Sequence, residues 1–405
     1  MPGAGLTIVR RVRSLLGAEG VVDTHQDGLP RVTPRTTEAC ALVLETASDE
    51  GWKVRVEGSG RWAPRDLAAD LALSTVGLTR VVSVNAPDLV ATAEGGIPWD
   101  DLRRALADHG AWLAADPPGA SRTLGSVVAT GTAGPLRTGF GSLRDHVLGL
   151  TLVTGDGRVL QPGGRVVKNV AGFDLTKLAA GSFGAFGVVT SAHLRLRSVP
   201  RADITLRAEG ERDELLFGAL AALEAGESPG ALELLSPAAG GRNAWTLGIR
   251  LLGSETAVEH ARRSVSAAAA GALEQLTPAA APEFWRSVAA GATERPVTLR
   301  LGAPPSSLAD ALDLVSHHLD DGWLSVSVGA AALRWSGAAP PDRLRLLRAA
   351  AAQQEFPVTV ERAPGDTLRA VGHFGAYREG IAPLVAALRR AFDPQGVLAV
   401  PTGDG

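Results

Sequence analysis

The chain has 405 residues and a formal net charge of −3 at pH 7. This length exceeds that of one ordinary compact domain, so we expect two or three domains. Hydrophobic residues make up 45% and charged residues 20% of the chain, which predicts globular domains and argues against disorder. The weakly acidic balance argues against a nucleic-acid partner, because binding to a phosphate backbone needs a basic surface.

The single cysteine, Cys40, excludes a disulfide framework and a cysteine-ligated cluster within this chain. Cys40 falls among the apolar positions of a predicted helix, so we interpret it as a small buried hydrophobe. No apolar run at the start of the sequence is long enough for a signal peptide or a spanning helix. We therefore expect a cytoplasmic protein without direct membrane insertion.

The first 200 residues predict mostly short strands and turns. A strand at 31–33, a helix that begins at Thr36 or Thr37 and a strand at 53–57 form a predicted βαβ unit with parallel strands. Residues 155–157, Gly-Asp-Gly, predict a hairpin, and a helix opens at Pro98. The other strands predicted in this half are 71–74, 80–84, 89–94 and 187–197, the last with His193 on its polar face.

Beyond residue 200 strands alternate with longer helices. This pattern predicts an α+β domain in which helices cover one face of an antiparallel sheet, and two similar βαβ halves are conceivable without a visible sequence repeat. The predicted strands are 203–207, 231–235, 245–252, 297–301, 323–328, 331–335 and 356–360. The predicted helices are 212–225, 255–273, 282–290, 306–318, 341–353 and 381–392.

Three clusters of glycine and hydroxyl side chains follow predicted strand ends in the first half, at 58–60, 123–134 and 181–187. Glycine lets the backbone approach a ligand closely, and successive N–H groups in a turn bind anions such as a diphosphate. Neither the Rossmann fingerprint nor the Walker A pattern is present in the sequence. A nucleotide would therefore need another scaffold.

The order of these segments resembles the FAD domain of the vanillyl-alcohol-oxidase (p-cresol methylhydroxylase, PCMH) family. The matching segments are 34–38, 56–60, 70–78, 116–119, 123–126, 163–175 and 181–190. The likeness covers about residues 30–200, and the closing segment 392–397 more loosely. Within the family it is closest to the FAD-binding subunits of bacterial glycolate oxidases.

The resemblance implies an FAD site in the first half. The loop at 57–61 would cover the FAD diphosphate, segments 116–119, 123–126 and 129–134 would line the diphosphate and the isoalloxazine ring, and 187–189 would meet the adenine. Neither cofactor loop contains a histidine, which implies noncovalent FAD. The residues predicted to bind FAD are Glu57, Gly58, Ser59, Gly60, Arg61, Pro117, Pro118, Thr123, Leu124, Gly125, Ser126, Ala129, Thr130, Gly131, Gly134, Gly187, Val188 and Val189.

Lys168 and Asn169 are the candidate catalytic residues, and no metal site is predicted. They lie in a loop flanked by glycines. A cation near the flavin N1/C2 carbonyl would stabilise the reduced flavin or hold a substrate carboxylate. The alternative is that the lysine only braces the loop.

Other polar residues have simpler interpretations. Arg137 and Arg144 are expected to pair with a carboxylate such as Asp145 rather than to touch substrate. His317 and its neighbour His318 point about 100° apart on a helix, so we expect at least one to be exposed. The segment 373–375, His-Phe-Gly, is considered as a pocket lining but is not among the predicted site residues.

The resemblance implies a PCMH-type FAD-binding domain at 1–200 and an α+β, ferredoxin-like cap at 201–405, which would bind a substrate or a partner. It implies an FAD-binding subunit of a glycolate oxidase-type complex that carries electrons from the oxidation of a small 2-hydroxy acid. The partners would be a second flavin subunit and an iron–sulfur subunit. The histidine-rich Gly-Asp-Gly-Asn segment of the family's catalytic flavin subunits is missing from this sequence, which favours an accessory role.

Two alternatives stay open. The chain could be a stand-alone FAD-dependent oxidase or dehydrogenase of a hydroxy acid or sugar alcohol. It could also be a structural subunit that has lost FAD, because Glu57 places a carboxylate beside the diphosphate loop unless Arg61 compensates for it.

Overall fold

The computed structural model describes residues 2–17, 20–24, 28–62, 67–119, 121–164, 174–268, 272–292, 295–375 and 380–400. The helices are α1 (Pro2–Leu16), α2 (Thr37–Glu50), α3 (Trp99–Ala107), α4 (Leu124–Thr130), α5 (Arg137–Phe140), α6 (Leu143–His146), α7 (Leu175–Ala179), α8 (Arg212–Glu224), α9 (Pro237–Gly240), α10 (Glu255–Ala268), α11 (Ala280–Gly291), α12 (Leu308–His318), α13 (Pro341–Gln353), α14 (Gly365–Val371) and α15 (Ile381–Phe392). The strands are β1 (Gly20–Thr24), β2 (Pro30–Pro34), β3 (Val54–Glu57), β4 (Leu71–Ser74), β5 (Val81–Asn85), β6 (Val90–Glu94), β7 (Ala111–Trp112), β8 (Val147–Val153), β9 (Val159–Leu160), β10 (Val188–Arg195), β11 (Arg197–Ser198), β12 (Ala202–Gly210), β13 (Ala231–Leu235), β14 (Trp245–Gly253), β15 (Glu274–Gln275), β16 (Val297–Gly302), β17 (Trp323–Ser327), β18 (Ala332–Gly337) and β19 (Val358–Arg362).

The first sheet contains the predicted βαβ unit. Its strand order is β1-β2-β4-β3, and β2 and β3 both run parallel to β4. The Thr36 side chain accepts a hydrogen bond from the Ala39 N–H at 3.1 Å, so it caps α2, and Gly51 ends the helix in the left-handed conformation. The parallel direction of the two predicted strands is confirmed, although β4 lies between them.

The second sheet is antiparallel, with the order β5-β6-β10-β8-β9. The predicted hairpin at 155–157 joins β8 and β9. His193 lies on β10, and its Nδ1 is 2.9 Å from the Thr92 hydroxyl, as expected for a hydrogen-bonded residue on a polar strand face. Helix α4 packs against β10, the central strand of this sheet.

The third sheet contains eight strands, and all its neighbouring strands pair antiparallel. Its order is β15-β12-β14-β13-β17-β18-β16-β19. The half from β12 to β15 and the half from β16 to β19 each follow the chain order β-α-β-β-α-β. The first and third strands of each half, β12 and β14 in one and β16 and β18 in the other, lie at its centre. That is the ferredoxin-like arrangement, here present twice and joined by the pairing of β13 with β17. The predicted α+β, ferredoxin-like second half is therefore confirmed.

The two faces of the third sheet differ in chemistry. Helices α8, α10, α12 and α13 cover one face, where strand side chains such as Leu299, Leu333 and Val360 belong to one apolar core. Because side chains alternate along a strand, their neighbours point to the other face. These neighbours include Glu233, Arg300, Arg334 and Glu361. The first half packs on this polar face, with α5 against β13.

The end of the chain returns to the first half. Phe392 packs in the core of the second sheet and its ring lies 5.3 Å from that of Phe186. Leu398 pairs with Val54 as a parallel bridge beside β3. The division into domains at 1–200 and 201–405 stays a proposal, and residues 392–398 belong by packing to the first half's cores.

Asp393 fixes this return segment, and its loss tests how strongly. Its two carboxylate oxygens accept hydrogen bonds from the Val397 and Leu398 N–H groups at 2.7 and 2.9 Å. Asp393→Ala would leave two buried donors unpaired, so we expect the free energy of unfolding to fall by about 2–4 kcal/mol. Urea denaturation measures this change. Asp49→Ala, on the exposed side of α2, is the control, and equal stabilities for the two variants would contradict the role.

Candidate functional site

A cleft lies where the loops of the first half meet the polar face of the third sheet. The loop after β3, one face of α4 and the segment before β10 form its first wall. The second half contributes two side chains, and the returning end of the chain closes one side. The lining residues are Arg55, Val56, Glu57, Gly58, Ser59, Gly60, Arg61, Trp62, Leu67, Thr75, Gly125, Ser126, Ala129, Thr130, Phe183, Gly184, Gly187, Val188, Val189, Glu361, His373, Leu398, Ala399 and Val400.

The structure brings together most of the residues predicted to bind FAD. Those that line the cleft are Glu57, Gly58, Ser59, Gly60, Arg61, Gly125, Ser126, Ala129, Thr130, Gly187, Val188 and Val189. Those that do not line it are Pro117, Pro118, Thr123, Leu124, Gly131 and Gly134. The candidate catalytic residues Lys168 and Asn169 lie outside the described residues, so their roles stay predictions.

The predicted residues that miss the cleft support its walls. The Thr123 side chain caps α4 by accepting a hydrogen bond from the Ser126 N–H, and Leu124 is fully buried in the core. A Cβ placed on Gly58 would lie 2.3 Å from the Thr123 hydroxyl oxygen. The glycine therefore allows the loop after β3 to pack directly on the start of α4.

Glu57 has a partner that the sequence reading missed. Its carboxylate lies 3.6 Å from Nε of Arg55, and both side chains are buried. Arg61, which the sequence offered as a compensating charge, is exposed and lines the same cleft, so compensation by Arg61 stays a prediction. Residues two apart on a strand share a face, so the spacing of Arg55 and Glu57 could have indicated the pair.

Arg122 and Trp62 are a second pair that the sequence reading missed. Arg122 is 1% exposed, and its guanidinium lies 3.9 Å from the centroid of the Trp62 ring, a cation–π contact. Its Nη2 donates to the Thr130 hydroxyl at 2.7 Å and to the Ser126 hydroxyl at 3.1 Å. Arg122 precedes the predicted 123–126 motif, and no pattern in the sequence separates it from the many surface arginines.

On the opposite wall, Glu361 is held between two arginines. Its carboxylate oxygens lie 2.9 Å from Nε of Arg334 and 3.3 Å from Nε of Arg300. Burial alone would raise the pKa of Glu361, but these charges outweigh it and lower that pKa. Arg334 also donates to the Ala133 carbonyl at 2.7 Å, and Trp62 Nε1 donates to the Glu361 carbonyl at 3.1 Å. These bonds join the two halves beside the cleft.

His373 contributes a neutral imidazole. Its Nδ1 lies 2.7 Å from the Val360 carbonyl oxygen, which can only accept, so Nδ1 carries the hydrogen and Nε2 is left as an acceptor. Burial lowers the pKa of His373 to about 4. Its ring centroid lies 4.1 Å from that of Phe183, another lining residue. The segment 373–375, considered only as a pocket lining, thus places a potential proton acceptor in the cleft.

Two further sequence expectations concern surface residues. The Asp145 carboxylate accepts hydrogen bonds from the N–H and the hydroxyl of Ser142, in a capping box at the start of α6, which is a different partner from the arginine expected. Burial lowers the pKa of Arg137, whose environment includes Arg300 and Arg334. His317 is exposed, as expected.

Comparison with known proteins identifies the first half. Residues 30–162 match the family described as FAD binding domain. The chain carries an FAD-binding domain. The predictions of an FAD-binding domain in the first half and of FAD as its cofactor are confirmed, whereas the noncovalent attachment of FAD stays a prediction.

Relatives and solved structures extend the likeness. Glycolate oxidase subunit GlcE of Escherichia coli is 44% identical over 131 residues, which are 32% of this chain and 37% of that protein. The mitochondrial cytochrome D-lactate dehydrogenase of Arabidopsis thaliana is 32% identical over 181 residues, or 43% of this chain and 31% of that protein. The chain thus matches only about a third of each relative's length. A solved 4-ethylphenol oxidase from Gulosibacter chungangensis has the same fold, with a TM-score of 0.75 at 15% identity over 100% of this chain and 98% of that chain.

No helix in the described part of the chain is long and apolar enough to cross a membrane. No cluster of three or more histidine, cysteine, aspartate or glutamate side chains suited to a metal ion occurs among the described residues.

Asp116, which does not line the cleft, gives a testable dependence of stability on pH. Burial raises its pKa to about 7, against the hydrogen bonds from the Leu136 N–H that favour the charged form. The folded state therefore keeps a proton on Asp116 that the unfolded state releases near pH 4. The contribution of Asp116 to the free energy of unfolding is thus present at low pH and is lost as the pH rises toward 7. Asp116→Asn removes this contribution.

We expect wild type to lose roughly 3 kcal/mol more unfolding free energy than Asp116→Asn between pH 5 and pH 8. Urea denaturation at both pH values measures the free energy of unfolding of each protein. The contributions of other titrating groups cancel when the two proteins are compared. Asp108→Asn, at an exposed position, should follow wild type. Parallel pH profiles for wild type and Asp116→Asn would contradict the raised pKa.

Proposed function

We propose that this chain is the FAD-binding flavoprotein subunit of a glycolate oxidase-type complex and carries electrons from the oxidation of a small 2-hydroxy acid. FAD, when bound, supplies the redox chemistry through its isoalloxazine ring. The chain's own residues bind the cofactor, orient it and exclude water. The observation that carries the proposal is the single cleft that unites the loop at 57–61, the polar face of α4 and the segment 187–189.

The residues in the cleft fit FAD. Gly58 and Gly60 leave the backbone of the first loop open to a diphosphate, and Ser126 adds a hydroxyl group. Apolar side chains suited to flat rings lie along the same cleft: Trp62, Phe183, Val188 and Val189. The Arg55–Glu57 pair removes the net negative charge that would otherwise repel the diphosphate. This pairing argues against the alternative of a structural subunit that has lost FAD.

The subunit role is supported by the name of the Escherichia coli relative, which is a glycolate oxidase subunit. It is also supported by the lack of the histidine-rich Gly-Asp-Gly-Asn segment in this sequence. The proposed partners are a second flavin subunit, which would oxidise the hydroxy acid, and an iron–sulfur subunit. A location in the cytoplasm stays a prediction from the sequence.

A stand-alone dehydrogenase of a hydroxy acid is the second candidate, because one observation favours it. His373 lines the cleft, and its Nε2 is the ring nitrogen without a hydrogen, so it can accept a hydrogen bond from a substrate hydroxyl. Turnover of a hydroxy acid by the isolated chain with an artificial electron acceptor would select this candidate.

The first test is the visible spectrum of the purified chain. We expect a yellow protein that releases FAD on acid treatment, which would also establish noncovalent binding. Ala129→Trp should fill the cleft from α4 and give a folded, colourless protein, whereas Ala107→Trp, exposed at the end of α3, should stay yellow. A wild-type chain that is colourless and takes up no added FAD would contradict the proposal and select the structural subunit.

The electron-transfer role needs a separate experiment. We expect a complex reconstituted with Ala129→Trp to lose most of its hydroxy-acid oxidation, measured against the complex with Ala107→Trp. The physical reason is that electrons would have no flavin to pass through in this subunit. Full turnover with the flavin-free variant would contradict electron transfer while leaving FAD binding itself untouched.

A further inference from the structure

Arg122 is a buried cation whose direct hydrogen-bond partners among the described residues are all neutral. Its hydrogen bonds go to the carbonyl oxygens of Pro118 and Ser126 and to the hydroxyls of Ser126, Thr130 and Thr132. Its Nε is buried without a hydrogen-bond partner in the structure as described. Burial lowers the pKa of Arg122 to about 9, which still leaves the group charged at neutral pH.

The carboxylate with the strongest effect on Arg122 is already engaged. Glu361 acts on Arg122 only through the longer-range electrostatic field, because its two oxygens pair with Arg334 and Arg300. A buried charge without a counter-charge is costly, so such a group is expected where a ligand brings the opposite charge. The arrangement around Arg122 therefore indicates a site for an anion.

The backbone N–H groups at the start of α4, which could otherwise bind an anion, already have hydrogen-bond partners. A helix start offers unpaired N–H groups, but those at the start of α4 are occupied. The Leu124 N–H donates to the Ile97 carbonyl at 3.0 Å, the Gly125 N–H to the Gly95 carbonyl at 2.6 Å, and the Ser126 N–H to the Thr123 hydroxyl at 3.3 Å. Positive charge for an anion above α4 must therefore come from a side chain.

Ser126 connects Arg122 with the cleft. Its hydroxyl oxygen accepts the hydrogen bond from Arg122, so its own hydrogen is left to donate to a group in the cleft that it lines. Thr130 differs, since its hydroxyl donates to the Ser126 carbonyl at 2.8 Å. A hydroxyl bonded to a cation is a stronger donor, because hydrogen bonds in a chain polarise one another.

The loop after β3 indicates which anion. Trp62, at the end of this loop, covers the Arg122 guanidinium, and the Ser59 hydroxyl donates to the Ser121 carbonyl at 2.6 Å. The loop proposed to cover the FAD diphosphate is thus packed on the segment that contains Arg122. We propose that Arg122 and Ser126 form an anion-binding pair for the diphosphate of FAD, in which Arg122 supplies the charge and Ser126 donates the hydrogen bond. This inference rests on the FAD site proposed above.

The test compares ligands with and without a diphosphate. FAD binding is measured by flavin fluorescence, ADP-ribose by its competition with FAD, and riboflavin, which has no phosphate, by its own fluorescence. We expect Arg122→Met to weaken FAD and ADP-ribose by about tenfold or more and to leave riboflavin unchanged, because a charge-assisted bond is lost. Arg122→Lys should restore most of the affinity. Arg212→Met, a guanidinium on α8 in the helical layer, is the control and should bind like wild type.

Ser126→Ala provides the second, independent measurement. It should weaken FAD and ADP-ribose in wild type but have little further effect in Arg122→Met, because the two residues act as one unit. Circular dichroism of each variant without cofactor reports whether the fold is kept. A merely bracing role for Arg122 would instead make the lysine variant as poor as the methionine variant and would leave the effect of Ser126→Ala additive.

Each result has a defined meaning. Affinities for FAD and ADP-ribose within twofold of wild type in both Arg122→Met and Ser126→Ala would overturn the pair. A second result would also overturn the assignment. In it, ADP-ribose binding is unchanged, and the variant's affinity for reduced FAD falls tenfold relative to its affinity for oxidised FAD, which lowers the midpoint potential by about 30 mV. This result would place the charge at the flavin ring. A wild-type chain that binds no FAD would contradict the proposed FAD site as a whole. Normal FAD binding by wild type together with unaffected variants would contradict only the proposed role of Arg122 and Ser126.

Discussion

The cleft depends on one buried carboxylate. Glu361 lies on the sheet face that packs against the FAD-binding half, and burial of an unpaired charge there would be strongly unfavourable. Arg334 compensates for it and also bonds to the Ala133 carbonyl, while Trp62 bonds to the Glu361 backbone. The same few bonds therefore satisfy the charge, orient the third sheet and fix the loop after β3. The residues that pair the charge of Glu361 are therefore the same residues that set the shape of the cleft.

Local features of the fold could be predicted from the sequence because they depend on neighbouring residues. The cap at Thr36, the left-handed Gly51, the hairpin at 155–157 and α15 follow from side-chain chemistry and spacing over a few positions. The pairing of distant segments could not be read in the same way. β4 lies between β2 and β3, and the end of the chain returns to pair with Val54, although nothing local to either strand encodes the partner.

The same division applies to the site. Glycines and hydroxyls at strand ends indicated the loops that line the cleft, because their chemistry is needed wherever a backbone meets a phosphate. Arginine gives no such signal in an arginine-rich chain, since a buried and an exposed arginine look alike in sequence. Arg122 packs against Trp62, and Arg300 and Arg334 pair with Glu361, so each acquires its role from a residue distant in sequence.

The charges around the cleft differ in one respect that bears on function. Arg55 and Arg334 each face a carboxylate, so their charges are compensated whether or not a ligand is present. In the part of the chain that the structure describes, Arg122 faces only neutral oxygens and an aromatic ring, which compensate a guanidinium incompletely. A chain selected for stability alone would gain by replacing it with an apolar side chain. The presence of Arg122 beneath the cleft is understandable if the cofactor brings the missing negative charge, because the stability that the empty protein loses would then contribute to the affinity for the cofactor.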